Sequence, residues 1–307
     1  MHKRSKSLEP YRKMEEHDGR GNNGATSCDD LATGKAPSLA AAAQCSTVSV
    51  YLAKINAVPR LVTAVWNKNL INQSFTISID RPDDDDGPVT HKVELKPWPF
   101  WSKKGAKALD VGGDRVDMFW DLRSAKFAAS SSPEPAGGYY VALVSNEEVV
   151  LLLGDCKKDA YKRTKSRPSL EDAVLMCRRE SVFGRRSFAA RARLDPRRSK
   201  EHEIVVESSL AAGSRDPEMW ITVDGFVLVH VKNLQWKFRG NETVLVDEAP
   251  VQVIWDVHDW LFAGPGSQAA FVFKPGAPPE VQEDSGGNGI QGEGTDFCFF
   301  LQAWRTE

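Results

Sequence analysis

The chain has 307 residues, 41% hydrophobic and 27% charged, which is room for roughly two domains with genuine cores. Its formal net charge of -2 conceals an uneven distribution of charge along the chain. No apolar run approaches the roughly 20 residues of a bilayer-spanning helix, and the basic opening MHKRSKSLEPYRKMEEHDGR has no apolar segment behind it, so neither a helical span nor a secretory signal is expected.

Residues 1–44 are rich in Ser, Gly, Asn, Lys, Asp and Ala without sustained hydrophobic periodicity, and are expected to be disordered apart from a helical turn at Ala40–Ala43. From Thr47 onward, short β-branched and aromatic runs alternate with turn residues. TVSVYLA (47–53) and LVTAVW (61–66) flank Asn-Ala-Val-Pro, a hairpin connection. SFTISID (74–80) places Phe75, Ile77 and Ile79 on one face, the period of two that marks a half-buried strand. HKVEL, LDVGGDRVDMFW, YYVALV and EEVVLLLG continue the series, with Gly112-Gly113 and Asn146 at tight turns. Ser169 and Asp172 then resemble a capping box, and Leu170, Ala173, Val174 and Cys177 recur at helical spacing, predicting a helix over 169–179 that ends before Gly184. Strands resume at SFAARARL (187–194) and run to VFKP (272–275). An acidic Gly-rich loop (277–296) and a closing strand FCFFLQAW (297–304) complete the chain.

The expected fold is therefore all-β and mainly antiparallel, with two tandem β-sandwich- or barrel-like repeats (45–154 and 187–276). One short helix lies between them in a basic bridge (155–186). The repeat rests on ungapped pairs set 135 positions apart: Trp101/Trp236, Gly105/Gly240, Trp120/Trp255, Asp121/Asp256 and Phe127/Phe262. These residues are expected to anchor the scaffold, with Trp120 and Trp255 sharing strand faces with Val116 and Met118, and with Val251 and Val253. The Asp after each Trp points the other way, as a turn or edge residue does. Looser matches pair SFTISID with EMWITVDG and GYYVALV with SQAAFVF.

Several long blocks, among them VELKPWPFWSKKGAKALDVGGDRVDMFWDLRSAKF, GYYVALVSNEEVVLLLGD, DPEMWITVDG, NLQWKFRGNETVLVD and PVQVIWDVHDWLF, resemble in order the plant family called domain of unknown function 868. The resemblance covers roughly residues 45–275. It implies a plant protein and brings no activity, cofactor or catalytic residues with it.

Chemistry is sparsely signalled. Five cysteines (Cys28, Cys45, Cys156, Cys177 and Cys298), odd in number and without a C-x-x-C spacing, read as free thiols of a cytosolic or nuclear protein. Between 157 and 200 stand fifteen Lys and Arg against six carboxylates counted from Asp155. Of these, Lys157, Lys158, Lys162, Arg163, Lys165, Arg167, Arg178, Arg179, Arg185 and Arg186 form the candidate binding patch, for an acidic protein, an anionic membrane surface or nucleic acid. A solvated face, partly paired with the acidic 280s, is the plainer alternative. Asp83–Asp86 reads as a solvated turn rather than a calcium loop, because the second copy has no partner loop. His258 and Asp259 would diverge on a strand and form no dyad. No G-x-S-x-G or Walker loop occurs, and neither metal nor cofactor is expected. A non-enzymatic binding or scaffold protein is the leading expectation. A glycan or small-ligand binder using Trp98, Trp101 and Trp236 comes next, and an enzyme last.

Overall fold

In the computed structural model the described residues are 45–69, 72–81, 87–95, 103–127, 132–184, 186–195, 198, 200–209, 216–276 and 297–306. The expectations for 1–44, Asp83–Asp86, Trp98, Trp101, Arg185 and 277–296 lie outside them. The remaining alternating runs become strands. β1 (Cys45–Ile55), β2 (Val58–Lys68), β3 (Gln73–Ile79) and β4 (Val89–Glu94) form an antiparallel meander. β5 (Lys104–Val111), β6 (Asp114–Asp121), β7 (Tyr140–Ser145) and β8 (Glu148–Leu153) form a second, which the short parallel strand β9 (Arg167–Pro168) extends. After β10 (Val174–Gly184) come β11 (Ser187–Ala192), β12 (His202–Ser208), β13 (Met219–Val223) and β14 (Phe226–Val231), a four-stranded sheet. β15 (Arg239–Val246), β16 (Ala249–Asp256), β17 (Gln268–Pro275) and β18 (Cys298–Arg305) complete the strands. Tight turns at Asn56-Ala57, Gly112-Gly113, Asn146-Glu147, Asp224-Gly225 and Asp247-Glu248 have positive φ at both central residues, the geometry that matches strand twist in two-residue hairpins.

Two large cores result. One is filled from β1–β4 and β5–β8, with Phe75, Ile77, Ile79, Val116, Met118 and Leu143 fully buried. The other is filled from β11–β14 and β15–β18, with Ile204, Ile221, Trp260, Phe271, Phe273 and Phe299 at its centre. Strand β10 joins them. It pairs antiparallel with β1 and parallel with β18, giving one nine-stranded sheet in the order β15-β16-β17-β18-β10-β1-β2-β3-β4.

This overturns the helix expected over 169–179. Leu170 is 93% exposed and Val174 51%, so no apolar helical stripe forms there. Instead the segment from Val174 reads as an alternating strand with a hydrogen-bonding partner on each side, and that long-range pairing outweighs the local capping signal. The helix forms earlier, as α1 (Lys157–Thr164), and ends at Lys165 in the left-handed conformation. The bridge is thus a central strand preceded by a helix. All three sheets are open, so a barrel description does not hold.

Two hairpins have matching geometry. Gly105 faces Trp120 across β5–β6, and Gly240 faces Trp255 across β15–β16. A Cβ on Gly105 would sit 2.5 Å from Trp120 Cζ2, and one on Gly240 would collide with Trp255 Cζ2 in the same way. Each indole therefore lies over its glycine, a position only Gly can offer. Trp255 Nε1 donates to the Lys237 carbonyl at 3.0 Å, which satisfies its one polar atom.

Candidate functional site

Helix α1 lies on the outer face of the β5–β9 sheet. Its buried Ala160, with Tyr161 and Cys156, packs on Tyr140, Ala142, Val144 and Val149 in a small third core. Asp155 fixes the approach: its Oδ1 accepts from the backbone N–H of Gly138 at 2.7 Å and of Tyr139 at 3.2 Å. Those hydrogen bonds, the one from Tyr139 foremost, hold its carboxyl below the usual range. Residue 138 has φ 75°, and a Cβ there would strike the Ser124 carbonyl, so this loop requires glycine.

Between α1 and the end of β6 opens a cleft of about 450 Å³, lined by Lys104, Asp121, Arg123, Asp159, Lys162 and Arg163, with Ser124, Tyr140 and Cys156 also on its walls. Asp121 organises one side. Arg123 grips it with two hydrogen bonds, Nε to Oδ1 at 2.9 Å and Nη2 to Oδ2 at 2.8 Å, and Lys104 Nζ lies 3.3 Å from Oδ2. Burial would raise the Asp121 carboxyl, but its hydrogen bonds with Arg123 and Lys104 outweigh that and hold it low. The aspartate thus stays ionised and keeps both cations in place. Its counterpart Asp256 is held by Arg239 Nε at 2.8 Å.

The ten basic residues of the expected patch separate into different roles. Lys157, Lys158, Lys162, Arg163 and Lys165 are exposed, and among the described residues none makes an ion pair. Arg167 pairs with Glu148 at 2.6 Å. Arg178 is half-buried, its side chain 16% exposed, with Nη1 2.6 Å from Glu134 and Nη2 2.7 Å from Glu180. Strand β10 directs that side chain towards these two carboxylates. Arg179, on the opposite face of the strand, is half-buried, and Arg186 is exposed. Five of the ten thus lie exposed together on and beside α1.

The repeat anchors divide as well. Trp120 and Trp255 are buried at 8% and 7% exposure. Trp236 is 81% exposed, because it lies in the turn after β14, where Leu234 fills the core instead. Phe127 and Phe262 are also exposed. Residues 258–262 form helix α2 (His258–Phe262) rather than a strand, so neighbouring side chains can meet, and His258 Nδ1 lies 2.9 Å from Asp259 Oδ1. The pair is exposed; His258 packs in a ring cluster with Phe238 and Phe262 at 5.1 and 5.2 Å.

One charge cluster had no signal in the sequence. Buried His202 has Nδ1 2.9 Å from Asp224 Oδ2 and Nε2 3.7 Å from Asp247 Oδ2, while Lys200 Nζ reaches both aspartates at 3.5 and 2.8 Å. Two turns and the approach to β12 bring these residues together. Among the described residues no cluster of three His, Cys, Asp or Glu side chains suits a metal ion. Asp224 is held low chiefly by the Glu203 backbone N–H, then by His202, and Asp247 chiefly by Lys200. A carboxyl depressed on folding contributes stability above its unfolded value of 3.8 and loses it as pH falls through the lower folded value. Asp224→Asn should therefore flatten the dependence of urea stability on pH below 3.8, with the parent losing stability more steeply on acidification. Parallel profiles would show that Asp224 makes no such contribution.

The family model described as plant protein of unknown function (DUF868) matches residues 42–305, nearly the whole described fold. The chain belongs to the DUF868 family. No curated protein and no solved structure matches it. In this DUF868 protein the cleft lies directly beside α1, whose Lys162 and Arg163 form part of its wall.

Proposed function

We propose that this DUF868 protein is a non-enzymatic binding or scaffold protein of the cytosol or nucleus, built from two copies of one Trp-containing unit, and that α1 presents its cations to an acidic protein partner. The observation that carries the reading is the group Lys157, Lys158, Lys162, Arg163 and Lys165, exposed and without ion pairs among the described residues, beside a cleft with surplus positive charge. The charge of these five is not offset by an ion-pair partner among the described residues, so it is open to an acidic ligand. The two-copy reading is supported by the matched hairpins and their Trp-over-Gly contacts. The halves differ at α1, which among the described residues follows the first alone.

The test is a pull-down from plant extract at rising salt. Retention of acidic partners should fall steeply with ionic strength. It should be lost when Lys157, Lys158, Lys162 and Arg163 are all changed to Glu. An unchanged partner set in that variant would sink the proposal. A second reading, a glycan or small-ligand binder, is favoured by the 81% exposure of Trp236. A Trp236-dependent fluorescence change on adding glycans, with no salt-sensitive partner, would favour it over the first.

A further inference from the structure

We infer that the cleft between α1 and the end of β6 binds a phosphate monoester dianion, an assignment that rests on the acidic-partner reading and specifies its chemistry. Lys104, Arg123, Lys162 and Arg163 stand against Asp121 and Asp159, leaving a surplus of two positive charges. A phosphomonoester carries about -1.5 to -2 near neutral pH, which matches that surplus. A single carboxylate or a phosphodiester brings one charge and leaves a cation unmatched.

The geometry supports the same ligand. Asp121 takes Arg123 through Nε and Nη2, which fixes the guanidinium plane while Nη1 stays uncommitted among the described residues. A planar, fixed guanidinium suits a phosphate's paired oxygens. Lys162 and Arg163 supply further charge from the last turn of α1, and Ser124 and Tyr140, also lining the cleft, carry hydroxyls able to donate. The volume of about 450 Å³ exceeds what a phosphate needs and leaves room for the alcohol it esterifies. At the positions 135 residues later the second half has Arg239, Asp256, His258 and Asp259, so an acid replaces Ser124, and among the described residues no equivalent of α1 lies beside them. The site belongs to the half that is followed by the helix.

Cys156 on the cleft wall supplies the readout. Burial, then the Asp155 charge, holds its thiol above the usual range, and a bound dianion would both shield it and raise it further. The full chain is alkylated with N-ethylmaleimide, with Cys156 and Cys45 followed separately by peptide mass spectrometry. Glycerol 3-phosphate and a short phosphoserine peptide form the two arms, separating a small ester from a phosphorylated side chain. Either should slow Cys156 by about tenfold when present at ten times its half-effect concentration, with Cys45 unaffected. Protection should weaken as pH falls through the monoester's second pKa of about 6. Lys162→Met with Arg163→Met should abolish it, while Lys232→Met, at an exposed lysine away from the cleft, should leave it intact. Absence of protection in both arms, or its persistence in the Lys162/Arg163 variant, overturns the assignment. Salt-sensitive retention of acidic partners without Cys156 protection defeats the phosphate assignment alone. Protection with an unchanged partner set after charge reversal defeats the broader reading alone.

Discussion

Arg178→Met should destabilise the protein by about 3–5 kcal/mol, on the order of 10 °C in Tm for a protein of this size. The guanidinium sits between Glu134 and Glu180 on the strand that joins the two cores, with Glu180 only 3% exposed. Removing the arginine leaves a carboxylate buried without its counter-charge, and the desolvation cost is then unopposed. The pH dependence gives the mechanism away. Burial raises the Glu180 carboxyl and Arg178 opposes that rise. A carboxyl whose folded pKa is raised favours the fold below its unfolded value of 4.5 and loses that advantage as pH climbs through the folded value. Without Arg178 the folded value climbs further, so the deficit should be largest at neutral pH and shrink towards pH 5. Adding Glu180→Gln should recover part of the loss at neutral pH. Urea unfolding at both pH values measures it; a deficit that is constant with pH would mean that packing, not charge, explains the loss.

Trp255→Ala should cost about 3–5 kcal/mol, since a buried indole leaves a cavity that its neighbours cannot fill. Gly240→Ala should cost about 1–3 kcal/mol, because its methyl would overlap the indole. In the Trp255→Ala background, however, the same glycine change should cost little, as the atoms it displaces are gone. The two substitutions are thus coupled, and a double-mutant cycle reads the coupling directly. Trp120 and Gly105 should behave alike, given the same register and the same close approach. Additive costs in both hairpins would mean that the Trp-over-Gly contact contributes nothing specific.

The same contrast runs through the fold. Phe75, Ile77 and Ile79 alternate in the sequence and are all fully buried in β3. Asn56, Gly112, Gly113 and Asn146 mark hairpin turns through backbone preferences that act over two residues. The 169–179 segment misled for the complementary reason. Its capping box and helical spacing are local, whereas its fate is set by β1 and β18, more than a hundred residues away on either side. Trp236 matches Trp101 in sequence, yet the turn at Asn233–Trp236 hands the core position to Leu234.

At the site, the basic character of residues 157–165 was plain from composition. The cleft was not, because Lys104, Asp121 and Arg123 come from β5 and the end of β6, and only the packing of α1 on β7 and β8 brings them beside Lys162 and Arg163. The same holds for Arg178, which looks like any other member of a basic run until strand pairing turns it inward.

By itself, then, the sequence determined most of the strands, their turns, the paired Trp and Gly positions and the basic stretch that follows β8. Those are properties of neighbours and of short periods, and they need no knowledge of what packs against them. Tertiary structure decided that β10 fuses two cores into one nine-stranded sheet, that Arg178 is a counter-ion to Glu134 and Glu180, and that five cations on and beside α1 stay exposed. Each of those depends on contacts between distant segments, where burial and charge pairing outweigh local preference.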